Sequence, residues 1–114
     1  MRKATSEEVT RFADMLAAIG TEHRLRITQL LLTAHPDGMV AGEIQSELGI
    51  SASNLSHHLE KLKNEELIAV RRESTFLRYS ANTQVLEALL GFLYAECCTR
   101  NKAIKPTKIT QLCK

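Results

Sequence analysis

The sequence predicts a mainly α domain that carries one small β-hairpin, and three observations predict it. Apolar residues recur at helical spacing through four successive segments up to about residue 66, the spacing then alternates over residues 67–80, and helical spacing returns from Thr83. The 114 residues suit one domain with a modest core. An apolar share of 44% and a charged share of 25% belong to a folded chain and not to a disordered one. With 4% aromatic residues and no tryptophan, leucine, isoleucine and alanine must fill that core.

The first helix opens where Thr5 stands three residues before Glu8, a capping-box pattern. Val9, Phe12, Leu16 and Ile19 follow at helical spacing and Gly20 is a stop. Thr21 caps the second helix, whose apolar stripe is Leu25, Ile27, Leu30, Leu31 and Leu32. Pro36 and Gly38 end it in the loop "HPDGM". "VAGEIQSELGIS" is a short third helix burying Ile44 and Leu48 and closed by Gly49. Ser51 caps the fourth, in which Leu55, Leu59 and Leu62 share one face. The opposite face bears Ser53, His57, Glu60 and Lys61, with Asn54 at its edge. "LIAVRR" and "TFLRYS" are two strands linked by Glu73 and Ser74, a β-hairpin. The last helix runs through "NTQVLEALLGFLYAECC", and its apolar residues cover far more than one face. Such a helix has a partner on both sides, which predicts a homodimer.

Composition excludes several classes. "MRKATSEEVTRF" has no apolar core of a signal peptide, and no run spans a membrane, so the expected location is cytoplasmic. Three cysteines, an odd count, do not make a disulfide framework. Neither a nucleophile–base pairing nor a phosphate-binding glycine loop is present, so no enzyme and no catalytic cofactor is expected. The net charge is only +2, but five basic and no acidic residues lie between Arg100 and Lys114. The expected organisation is one folded, dimerising domain over 1–98 and a flexible basic tail over 99–114.

Two helices joined by a tight glycine turn form a helix-turn-helix, and a following hairpin makes the arrangement winged. The chemistry of that arrangement is duplex DNA binding, since its second helix fits the major groove. Ser53, Asn54, Ser56 and His57 would present short hydrogen-bonding side chains there, and Lys61 and Lys63 would reach phosphate. Arg71, Arg72 and Arg78 of the hairpin suit backbone or minor-groove contacts.

"AAIGTEHRLRITQLLL", "SNLSHHLEKLKNEELI" and "VRRESTFLRYS" resemble the corresponding segments of the ArsR/SmtB repressors, small dimeric winged-helix metal sensors of bacteria. The likeness runs from about Phe12 to Tyr94, and its most specific stretch is S-x-x-SHHL-x-x-L. It implies that the helix from about Ser51 to Glu66 reads DNA and that the first and last helices form the dimer interface. The family's wing tip commonly carries Gly then Arg, where this chain has Ser74 and Thr75.

All three cysteines lie near the C-terminus, as Cys97, Cys98 and Cys113. The family's Cys-Val-Cys site has no counterpart in "VAGEIQSELG", and none of the four histidines lies on the last helix. A vicinal pair at the end of that helix resembles the arsenic-responsive members. The resemblance implies As(III) or Sb(III) as inducer on Cys97, Cys98 and Cys113. Soft thiolates select soft centres, so the chemistry agrees. Cys113 lies fifteen positions beyond Cys98, an extended reach of roughly 50 Å, so it can close onto the pair in its own subunit or across a dimer. Adjacent cysteines diverge by about 100° on a regular helix, so joint ligation needs a frayed end. Other readings stay open: apolar filler in the dimer interface, a redox or persulfide switch, cadmium or lead sensing, or a thiol scavenger of metalloids.

Overall fold

The computed structural model describes residues 4–100. In chain order these form α1 (Ser6–Ile19), α2 (Glu22–Thr33), β1 (Met39–Val40), α3 (Ala41–Leu48), α4 (Ala52–Asn64), β2 (Ile68–Glu73), β3 (Phe76–Ala81) and α5 (Thr83–Tyr94). They fall into two compact units that divide between Thr83 and Gln84.

Local chemistry fixes the helix starts of the first unit. The Glu8 backbone N–H donates to Thr5 Oγ1 at 3.1 Å, and the Thr5 N–H donates to Glu8 Oε1 at 3.1 Å, which closes the capping box of α1. Thr21 and Ser51 accept from the N–H groups of Arg24 and Asn54, both at 3.2 Å, and so cap α2 and α4. Gly49 ends α3 with φ 64°, and its N–H donates to the Gln45 carbonyl at 2.7 Å.

The core of this unit joins Phe12, Met15 and Ala18 of α1, Ile27 and Leu31 of α2, Ile44 of α3, and Leu55, Leu59 and Leu62 of α4. Leu67, Ile68 and Ala81 of the hairpin close it. Burying each large apolar side chain contributes roughly 1.5–3 kcal/mol before conformational entropy is subtracted. Of the expected stripe of α1 only Phe12 is fully buried. Phe12, Met15 and Ala18 face α2 and α4, whereas Val9 and Leu16 stay 50% and 44% exposed. Small Ala18 and flexible Met15 fit the α1–α2–α4 junction, so the helix turns that side inward. In α2, likewise, Leu25 and Leu32 remain at the surface.

The sheet has three antiparallel strands in the order β1-β3-β2, one more than the sequence led us to expect. β1 pairs Met39 with Tyr79 and Val40 with Arg78. Two residues carry no readable period, so only the neighbouring Gly38 hints at them. At φ 80° it lets the chain pass β3 so closely that a Cβ would lie 2.2 Å from the Tyr79 carbonyl oxygen.

The hairpin is also shifted by one residue from expectation. Glu73 belongs to β2, opposite Phe76, and the turn is Ser74–Thr75. Ser74 takes φ 57°, which a non-glycine residue adopts at some strain.

In the second unit α5 stops at Tyr94 instead of running to Cys98, and residues 95–100 continue as turns. The Cys97 N–H donates to the Tyr94 carbonyl at 2.9 Å, an i to i+3 bond in place of a helical one. Leu89 is buried, while Leu90 and Leu93 are exposed. Among the described residues no helix is long and apolar enough to cross a membrane. Cys113 and the tail beyond Arg100 lie outside the described residues.

Candidate nucleic-acid interface and thiol pair

The leucine face of α4 decides what its other face offers. With Leu55, Leu59 and Leu62 turned inward, Ser53, Asn54, Ser56, His57, Lys61 and Lys63 are all exposed. Four short polar side chains thus cluster around the start of α4, and two lysines follow a turn or more later. Some of this polarity is already engaged. Ser53 Oγ lies 3.5 Å from Ser51 Oγ, and Lys63 approaches Glu60 at 3.9 Å. These are exposed contacts that a phosphate or base edge can displace.

His58 does not join that surface. Its Nδ1 accepts from Arg24 Nη1 at 3.2 Å, while Arg24 Nε donates to the Ala18 carbonyl. One guanidinium therefore ties the α1–α2 corner to α4. The rings of His23 and His57 lie 5.4 and 5.8 Å from that of His58. Desolvation, then the Arg24 charge, with smaller contributions from His23 and His57, holds His58 below its usual 6.5, so it is the neutral acceptor at neutral pH.

The three hairpin arginines have different surroundings. Arg71 and Arg78 stand directly opposite each other across β2 and β3, a like-charge pairing that is unfavourable by itself. Glu73 bridges them: Arg71 Nη2 donates to its Oε2 at 2.7 Å and Arg78 Nε to its Oε1 at 2.8 Å. Those hydrogen bonds from Arg78 and Arg71 hold the Glu73 carboxyl below the usual carboxylate range. Arg78 also donates from Nη1 to the Gly38 carbonyl at 3.2 Å and anchors the hairpin to the start of β1. Arg72 projects to the other side of the ribbon and makes no hydrogen bond or ion pair among the described residues. Sequence reading passed over Glu73 and Arg24. Glu73 escaped notice because the expected register, with Glu73 and Ser74 as the turn, pairs Arg71 with Phe76, and only the observed register sets Arg71 opposite Arg78. Arg24 had no signal, since its partners come from α1 and α4.

The vicinal cysteines lie past the end of α5, both half-buried. Cys98 has a left-handed backbone, φ 62°, and the Cys97 and Cys98 sulfurs come within 2.9 Å of each other. The hydrogen bond to the Cys98 sulfur, with some desolvation, raises the Cys97 thiol above its ordinary value. Two sulfurs that share a proton at this distance offer one bidentate soft-ligand edge. Among the described residues no three histidine, cysteine or acidic side chains converge as a metal site.

Comparison with known proteins agrees with this architecture. Residues 19–71 match the family described as "Helix-turn-helix domain". The chain is similar to the transcriptional repressor SdpR of Bacillus subtilis, 35% identical over 80 residues that cover 70% of this chain and 86% of the relative. It is also similar in structure to an ArsR-like transcriptional regulator from Rhodococcus sp. RHA1. There the TM-score is 0.68 and the identity 26%, over 85% of this chain and 92% of that one. A third likeness, of fold, is to the homodimeric winged helix-turn-helix DNA-binding domain Mb0332 of Mycobacterium bovis, a possible ArsR-family regulator. The TM-score is 0.61 at 24% identity, over 85% of this chain and 93% of that one. With a helix-turn-helix, a wing and such relatives, this chain belongs to the ArsR family of winged-helix transcriptional regulators.

Proposed function

We propose that the protein is a cytoplasmic homodimeric repressor that binds operator DNA and that arsenite or antimonite releases by binding the thiols of Cys97 and Cys98. The observation that carries this reading is the 2.9 Å approach of the two sulfurs just beyond α5. Cys113, outside the described residues, is the proposed third sulfur of a pyramidal site. The exposed leucines of α5, Leu90 and Leu93, are the surface that a second copy covers. Ser53, Asn54, Ser56 and His57 read bases, while Lys61, Lys63 and the hairpin arginines Arg71, Arg72 and Arg78 meet phosphate.

The raised Cys97 thiol favours a metalloid over the other inputs. A protonated thiol is a weak nucleophile, which disfavours a redox or persulfide switch at neutral pH. A divalent ion such as cadmium or lead must displace the thiol protons, so its binding weakens as pH falls. Arsenous acid condenses with protonated thiols, and each new As–S bond releases one water and no net proton. A raised thiol pKa therefore opposes cadmium and leaves arsenite nearly indifferent.

Release of a labelled operator duplex tests this. Cys97→Ser and Cys98→Ser keep DNA binding and lose release by arsenite, and Cys113→Ser loses it in full if three sulfurs act together. In the wild-type protein release by arsenite changes little between about pH 6.5 and 8, whereas release by cadmium strengthens as pH rises. Undiminished arsenite release from both single variants places the input elsewhere and sinks the proposal.

A further inference from the structure

The hairpin carries a carboxylate, Glu73, between two of its arginines. We propose that Glu73 is a counter-charge built into the wing, one that competes with DNA phosphates for Arg71 and Arg78 and so tempers binding to duplex of any sequence. This rests on the reading of the hairpin as a phosphate-contacting wing.

Glu73 meets both arginines through separate oxygens, Oε2 toward Arg71 and Oε1 toward Arg78. Their environments differ. The Arg78 side chain is 27% exposed and holds a second bond to the Gly38 carbonyl, whereas that of Arg71 is 59% exposed and has Glu73 as its one partner among the described residues. Arg78 is thus the fixed leg of the bridge and Arg71 the movable one. A phosphate that approaches this side of the ribbon must draw Arg71 from an existing charged partner and then lie beside the carboxylate left behind. Arg72, on the opposite side and without such a partner, faces no such competition.

Phosphate contacts position a protein on DNA and supply its non-specific affinity, while base contacts supply discrimination. A carboxylate that neutralises part of the wing lowers the non-specific share and leaves base reading by α4 untouched. The ratio of specific to non-specific binding rises accordingly.

The test is fluorescence anisotropy of the full chain on a random-sequence duplex at several salt concentrations. Glu73→Gln is expected to bind about 3- to 10-fold more tightly near 0.1 M salt, with the slope of log K against log salt steeper by about 1. Arg71→Gln in the Glu73→Gln background removes most of that gain. Glu73→Asp, whose shorter carboxylate reaches one arginine less well, shows part of it and keeps the charge should Glu73→Gln fold poorly. Equal or weaker binding and an unchanged slope in Glu73→Gln and Glu73→Asp, with a wild-type melting curve, overturns the inference. If Arg72→Gln and Lys61→Ala both leave the slope unchanged, the DNA-facing reading fails, and this inference with it.

Discussion

Gly38 shows how one residue without a side chain fixes the geometry of the sheet. Its backbone lies at φ 80°, and a Cβ there would sit 2.2 Å from the Tyr79 carbonyl oxygen, which is ladder backbone and cannot swing aside. The Gly38 carbonyl also accepts from Arg78. Gly38→Ala is therefore expected to destabilise the protein by roughly 2–4 kcal/mol, as strain and a backbone clash add. Gly49 provides the contrast, because its φ is 64° but nothing lies within 4 Å of its Cβ position. Gly49→Ala should lose only about 1 kcal/mol. Urea denaturation of both variants checks the pair, and equal losses would mean that contact with β3 adds nothing. From the sequence the two glycines look alike, each a stop after a helix. Only the return of β3 about forty residues later, past Gly38 and not past Gly49, separates them, and no local pattern encodes that. The cysteines are the opposite case: their adjacency is plain in the sequence, but the left-handed backbone at Cys98 that turns the sulfurs together is not.

At the scale of the element, α4 was the most legible part of the chain, since its cap, its leucine face and its polar face follow from period and position alone. Its attachment was less so. Arg24 holds His58 against the α1–α2 corner only while the imidazole is neutral and can accept. The folded pKa of His58 lies below the unfolded value, so in the window beneath about pH 6.5 the unfolded chain binds more protons. Stability contributed by this contact is thus present above that window and is lost as pH falls through it. His58→Gln, whose amide oxygen still accepts from Arg24, should flatten the dependence of denaturation midpoint on pH between about 5 and 7. An unchanged slope in the variant would assign the effect to other groups. The hairpin shows the limit of period-based reading: alternation located both strands but not their register, which places Glu73 opposite Phe76 at the end of β2.

Across the whole molecule the proposed input and output belong to different units of the chain. Ser53 to Arg78 lie in the first and the thiol pair in the second, together with all of α5 beyond Thr83. A signal between them needs two states that DNA and metalloid bias in opposite directions, and the apolar surface of α5 offers the second copy as the body whose placement changes. Thermodynamic linkage then constrains the outcome without any knowledge of the path. If arsenite lowers operator affinity 100-fold, a coupling of about 2.7 kcal/mol, saturating operator must lower arsenite affinity by the same factor. Titration of arsenite into the protein with and without a saturating operator duplex measures this. Equal arsenite affinities in the two titrations, alongside release of DNA, would mean that the metalloid removes DNA irreversibly, as by aggregating the protein. A matched 100-fold loss would instead establish that arsenite and operator exchange free energy through one reversible equilibrium.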